Sequence, residues 1–341
     1  MTANSRSICL KFSLPAFLLL FWLAGSAQKP DMSALDQLIS QHQKELGKNL
    51  VVMVYKDSAL IYKKETGELF NARAQAPLGA ASQWLTAALV MSFVDQGKIT
   101  LDEPLGRYLP VLEKYMKGYI TLRNCLTQTT GIEDEQTRLG KLLKKKKYQT
   151  LEEAVGGLAA REIHNNPGKE FSYGDVGLTI AARVCEVIGK KPFERLMQER
   201  ITRPLKMRST SFFNDDGSAP NPSSGGQTSA NDYMNFLIMM LHKGVFENKK
   251  ILSEKAIQEM EKASFTGLPV VYSPPSFNNW HYGMGVWLLE EDQNGQGVVI
   301  SAPSMQGSWP LIDRKQGYAA LVLLQSTQED ARVAFMNELR E

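Results

Sequence analysis

Cysteine is scarce in this chain, with three among 341 residues, at positions 9, 125 and 185. Their spacing is not that of a metal site, and so few of them imply no disulfide framework. Cys125 and Cys185 sit inside apolar helical patterns. Two buried free thiols are the simpler expectation, with a single bridge between them as the alternative in an oxidising compartment. An excess of charge is missing too. The chain carries 39 basic and 36 acidic residues, a formal net charge of +3. Such a balance gives no strong electrostatic reason to seek nucleic acid or an anionic membrane. The one local exception, KLLKKKK from Lys141 to Lys147, reads as a solvated surface. There is no internal repeat, and no metal or organic cofactor is implied.

Long apolar runs are also lacking, except at the start. Arg6 and Lys11 precede FSLPAFLLLFWLAG, which gives way to the small residues GSA before Gln28. A positive start, an apolar middle and a small-residue exit are the features of a cleavable secretory signal, expected over residues 1–27. The run is short for a membrane span. If retained, it is the only link to a membrane that the sequence offers. Its removal takes Arg6 and Lys11 with it and lowers the formal charge from +3 to +1. The expected location is periplasmic or secreted.

What is present is a chain that is 43% apolar, enough for a large core. DMSALDQLISQHQKEL has helical periodicity, and NLVVMVYKDSALIYKKETGELF alternates and turns like a β-hairpin. From about Ala80 to Leu205 the texture is helical, with Gly97, Gly131 and Gly189 standing where helix ends favour a left-handed residue. After the Gly/Pro/Ser-rich connector DDGSAPNPSSGGQTS comes a further helix, ANDYMNFLIMMLHKG, whose methionines and leucines read as core. The C-terminal part returns to strands in HYGMGVWLLE, GQGVVISA, GSWPLIDR and YAALVLLQ, and closes on the helical EDARVAFMNELR. The expectation is an α+β fold. An antiparallel sheet is built from both chain ends (28–79 and 270–341) and flanked by terminal helices, with an all-helical domain (80–269) inserted.

Three blocks carry a resemblance to a known family. They are LTAALVMSFVDQGKITLDEPLGRYLP with its continuation ITLRNCLTQTTGI; PGKEFSYGDVGLTIAARVCEVIGKKPFERLMQERITRPLKMRSTSF; and GGQTSANDYMNFLIMMLHKGVFENKKILSEKAIQEM. Together they cover most of the chain. They resemble the β-lactamase-like serine hydrolases, the group of class C β-lactamases, D-alanyl-D-alanine carboxypeptidases and related esterases. The resemblance implies a nucleophilic serine at a helix start and a lysine three residues on, on the same helix face. Aligned through Leu78, Gly79 and Thr86, those positions hold Ala80 and Gln83. Shifting the register to Ser82 puts Leu85 where the lysine belongs.

Alanine offers no nucleophile, and an amide is no base near neutral pH. Loss of a nucleophile costs about a millionfold in turnover, roughly 8 kcal/mol of barrier. The second motif keeps Tyr173 at the position of the family's proton-shuttling tyrosine, with a buried structural tyrosine as the equal alternative. Asp175 replaces an asparagine; when ionised it can only accept hydrogen bonds. Gln128 stands where the related pattern has histidine. The third motif, normally a Lys-Thr-Gly or His-x-Gly edge strand, aligns with Ala302, Pro303 and Ser304, with no basic residue and a serine in place of the glycine. Pro303 also removes a backbone donor.

These departures imply a naturally degenerate serine-hydrolase homologue. The backbone N–H of Ala80 survives as a helix-start donor for a carbonyl or carboxylate. Ser82, Ser301, Trp84, Trp309, Tyr173, Trp280 and Tyr282 are the candidates to line a cleft around it, with core packing as their alternative role. The leading expectation is an exported, non-catalytic binder of a peptide, a cell-wall fragment or a protein partner. A pocket filled by side chains would remove the small-ligand version. The alternatives are an atypical hydrolase using Ser82 or Ser304, activated by Tyr173 or Asp175, and a structural envelope protein marked by a large exposed apolar patch.

Overall fold

A computed structural model describes residues 31–47, 49–68, 70–134, 147–304 and 307–324, together with 335 and 338. The expected signal segment, most of the lysine run and most of the C-terminal helix lie outside the described residues. Helix α1 (Ser33–Leu46) leads into a hairpin of β1 (Leu50–Lys56) and β2 (Ala59–Thr66). Asp57 and Ser58 both take positive φ, at 50° and 62°. Two left-handed residues in a two-residue loop match the right-handed twist of the flanking strands, which is why so short a connection closes here.

The remaining strands of the main sheet come from the far end of the chain: β3 (His281–Tyr282), β4 (Trp287–Glu291), β5 (Gly297–Ser301), β6 (Ser308–Asp313) and β7 (Tyr318–Leu324). Their order is β2-β1-β7-β6-β5-β4-β3, and every pair is antiparallel. Leu50 faces Leu324 and Lys56 faces Tyr318, so an early and a late strand of the chain pair directly, one strand in from the β2 edge of the sheet. This is the antiparallel sheet from both termini expected above. Side chains alternate between its two faces. Leu50, Val52, Val322 and Leu324 pack with Ile39 and Leu46 of α1 on one face. Val51, Met53, Leu321 and Leu323 turn to the helical block on the other.

Five helices of that block matter to the site: α2 (Ser82–Asp95), α3 (Leu122–Leu126), α4 (Leu151–Ala159), α5 (Val176–Gly189) and α6 (Ala230–Leu241). Helix α2 is buried along almost its whole circumference, from Ser82 to Phe93. An apolar helix without a polar face has to sit inside, and α2 is the pillar of the larger core. The described residues from Met32 onward group as one compact unit. No helix among the described residues is long and apolar enough to cross a membrane.

Two helix-end expectations need adjustment. Gly97 follows α2 with φ 65°, as expected. At the end of α5, however, Lys190 takes the left-handed conformation (φ 50°) while Gly189 is still helical. A Cβ at Gly189 would lie 2.6 Å from Leu196, so this glycine serves close packing and leaves the reversal to its neighbour. Gly131 is left-handed too (φ 72°), but five residues beyond the end of α3. Cys125 and Cys185 are free and buried, and burial pushes both thiols well above their ordinary pKa.

Candidate active site

The position expected for a nucleophile is built by a sharp turn. Gly79 has φ 53°, a conformation a side chain would strain, and Gly79–Ala81 form a single 3₁₀ turn that runs into α2. Neighbours clamp this turn from both sides. The Leu78 N–H donates to the Gly226 carbonyl at 2.7 Å, and the Ser308 hydroxyl donates to the Leu78 carbonyl at 2.6 Å. The hydroxyl of the fully buried Tyr233 reaches the Ala81 carbonyl at 3.0 Å. Ala80 itself stays half-buried, presented by a rigid scaffold. Its N–H donates to Ser304 Oγ at 3.2 Å.

One turn deeper, Gln83 is 3% exposed. Its Oε1 accepts from the Tyr282 hydroxyl at 2.5 Å and from Gln128 Nε2 at 3.2 Å. Gln128 Nε2 also donates to the Gly174 carbonyl at 3.1 Å. Gln128 holds a left-handed backbone, φ 61°, while 3% exposed. A buried non-glycine residue kept in that region is maintained by its surroundings. Here its carbonyl also accepts the Ser172 N–H at 2.9 Å, so both ends of the residue are fixed. The position expected for a lysine is thus filled by a neutral, mutually bonded set. Gln128 and Tyr282 complete it from 45 and 199 residues away.

Tyr173 lies beside this set. Its ring packs against Tyr282 at 5.7 Å and Trp287 at 5.2 Å. Burial, reinforced by the neighbouring Tyr282, pushes its pKa well up. The phenolate needed for proton abstraction is therefore disfavoured. Asp175 caps the approach to α5. Its N–H donates to Asp134 Oδ2 at 2.8 Å, and its own Oδ2 accepts from the Asn221 amide at 3.3 Å. Asp175 also borders a cavity of about 420 Å³ lined by Asp134, Tyr148, Leu158, Arg161 and Asn221.

The expected cleft lining is largely elsewhere. Ser82 is fully buried, and its Oγ accepts the Gly226 N–H at 3.0 Å. Trp84 points into the core against Phe236, ring centres 5.6 Å apart. Ser301 is fully buried and bonds the Pro310 carbonyl at 2.6 Å. Trp309 and Trp280 meet edge to face among the side chains on the α1 face of the sheet, away from Ala80. Core packing, the alternative role for these aromatics, is what places them. Ala302 and Pro303 are buried. Of the third-motif residues, Ser304 is the one that accepts the Ala80 N–H. Among the described residues no cluster of three His, Cys, Asp or Glu side chains could hold a metal ion.

An antiparallel sheet joined from both termini, a helical block and a turn-presented helix start facing a strand end define the β-lactamase/transpeptidase-like class of protein. The chain belongs to the Beta-lactamase family, whose pattern matches residues 35–341. It is 22% identical over 303 residues to the protein named "Putative penicillin-binding protein PbpX" of Bacillus subtilis (strain 168), covering 80% of this chain and 75% of that one. It is 26% identical over 138 residues to the D-alanyl-D-alanine-carboxypeptidase/endopeptidase AmpH of Escherichia coli (strain K12), a match spanning 40% of this chain and 36% of AmpH. Among solved structures, a "putative beta-lactamase" from Bacteroides dorei DSM 17855 superposes with TM-score 0.78 at 28% identity, covering 86% of this chain and 91% of that one. The octameric penicillin-binding protein homologue of Pyrococcus abyssi gives TM-score 0.71 at 18% identity, over 91% and 78%.

Proposed function

We propose that this chain is an exported, non-catalytic member of its family that binds a peptide or cell-wall fragment at the mouth of the former active site. One observation carries the reading. The lysine position is occupied by Gln83, sealed by Tyr282 and Gln128 in a network with no basic group. The loss of the reagents is matched by residues far apart in sequence, as expected of a site settled without catalysis.

The inner half is filled, so a ligand has only the outer half to use. There Ala80 stays half-buried, and Asp175 borders a cavity of about 420 Å³, of ordinary ligand-pocket size. The ligand class is taken from the relatives, named for penicillin binding and for D-alanyl-D-alanine cleavage. An atypical hydrolase is less well supported. Ser82 has neither exposure nor a base, and the raised pKa of Tyr173 opposes its use as one.

The test is mass spectrometry of the protein after exposure to a fluorescent penicillin and a fluorophosphonate, beside the Ala80→Ser, Gln83→Lys double variant. The native protein should take no covalent label. Labelling of the native chain by either reagent would reveal a nucleophile and overturn the reading. Labelling confined to the variant would show a pocket lacking only its reagents.

A further inference from the structure

We infer that Gln83 Nε2, the Tyr173 hydroxyl and Trp287 Nε1 form a set of neutral donors that receives an uncharged carbonyl of the ligand, an amide or ester in preference to a carboxylate. The inference rests on reading the mouth of the site as a binding surface, and names the chemistry that surface selects.

Each donor is singled out by the acceptor it lacks. The orientation of the Gln83 amide is fixed by its partners. The Gly174 carbonyl can only accept, so Gln128 must present Nε2 to it, and the same nitrogen meets Gln83 Oε1 at 3.2 Å. The Tyr282 hydroxyl donates to that oxygen as well. The oxygen and nitrogen of a primary amide diverge, so Gln83 Nε2 is turned away from both partners. It has no acceptor among the described residues, although Gln83 is only 3% exposed. Trp287 is 1% exposed, and its Nε1 is likewise without a partner among the described residues. The hydroxyl of the half-buried Tyr173 donates to no described residue either. Buried donors are paired in the great majority of cases, and one left over calls for an acceptor from outside.

The three donors belong to one place. Trp287 stands opposite Tyr282 across the β3–β4 pair, with ring centres 4.9 Å apart. The Tyr173 ring lies 5.2 Å from Trp287 and 5.7 Å from Tyr282, and Gln83 holds the hydroxyl of that same Tyr282. The indole N–H is near enough to the Tyr173 oxygen to draw its pKa down against the general rise, yet closes no hydrogen bond with it. Burial keeps Tyr173 protonated, and so a donor.

Charge decides between the acceptors. None of the three side chains is charged near neutral pH. Asp175 adds to the rise in the Tyr173 pKa, as a negative neighbour does. A carboxylate brought to the set would meet that field with no cation in the set to offset it. A neutral carbonyl offers the same lone pairs without the repulsion. The resemblance puts a lysine at residue 83, so the neutrality of the set follows from this chain's own glutamine.

The test follows the Trp287 indole N–H by ¹⁵N NMR, assigned through its disappearance in Trp287→Phe. N-acetyl-D-alanyl-D-alanine amide or the corresponding free acid is titrated into the native protein and into Tyr173→Phe. The amide should move the indole signal at a lower concentration than the acid does. Loss of the Tyr173 hydroxyl should raise the midpoint for the amide roughly two- to tenfold, the worth of one net hydrogen bond. An indole signal that stays in place while others move would overturn the donor set and leave binding elsewhere at the mouth intact. Equal midpoints for the two compounds, or a lower one for the acid, would overturn the selection of a neutral carbonyl. No response to either compound would overturn the inference outright. The non-catalytic reading is judged separately, by covalent labelling, and survives each of these results.

Discussion

Ala80 and Gln83 sit one helical turn apart and have opposite environments. Gln83 is 3% exposed and its carbonyl oxygen receives two donors. Ala80 keeps part of its surface open and gives its N–H to a single, long hydrogen bond. The inner half of the site has become core, whereas the outer half has stayed surface. The contrast is one of burial at two positions a single helical turn apart. A buried position must be refilled with satisfied polar groups, because an unpaired one costs about 1–3 kcal/mol. A position at the mouth is under no such constraint, since water can serve any donor left there.

This contrast is easiest to break from the inside. Trp84, fully buried one residue along α2, should be the most costly side chain in the neighbourhood to truncate. Trp84→Ala is expected to lose about 3–5 kcal/mol in urea unfolding, from lost burial and the cavity left behind. Gln83→Ala should follow at about 2–4 kcal/mol, because the Tyr282 hydroxyl loses its acceptor and Gln128 one of its two. If Gln83→Ala proved neutral, the inner half would be hydrated and open, and the distinction between the two halves would collapse.

The outline of both halves was legible in the sequence, and their wiring was not. Period-two alternation located the β1–β2 hairpin, because only one register buries Leu50 and Val52 against α1. Ala80 and Gln83 were singled out by their fixed spacing at one helix start. The partners of Gln83 were not, since Gln128 and Tyr282 reach it through tertiary folding and no local pattern encodes that. Gln128 registered only as a departure from a motif, although a left-handed buried residue bonded at both ends is a structural fixture. Trp84 and Trp309 were misplaced for a related reason. An aromatic residue announces burial, but not on which side of a sheet or helix it falls. At the end of α5, glycine announced a reversal that Lys190 makes instead, because the sequence does not show how closely Leu196 approaches.

Alkaline pH offers a milder way to sharpen the comparison. Burial raises the folded-state pKa of Tyr282 above its ordinary 10.0. A group raised in this way holds its proton more tightly when folded, so its contribution is intact below pH 10. It declines as pH rises past that value, where only the unfolded chain can ionise. At pH 11 the loss from one such group is about 1.4 kcal/mol relative to pH 9. Tyr282→Phe should therefore be less stable than the native chain at pH 8, by about 1 kcal/mol for the lost hydrogen bond, and should lose less between pH 9 and 11. Parallel pH profiles for the two proteins would mean that Tyr282 is solvated, and with it the inner half of the site.

Ala80→Ser should have the smallest effect. The added hydroxyl enters a half-buried position on an already rigid turn, and changes of this kind usually stay within about 0.5 kcal/mol. A near-zero shift in unfolding would confirm that the mouth retains room for the atom it lacks. A loss above about 2 kcal/mol would mean that the mouth has been repacked as firmly as the interior, and that the same three-residue helical step separates two closed positions instead of a closed one from an open one. Paired with Gln83→Ala, this measurement weighs one site's two halves on a single scale.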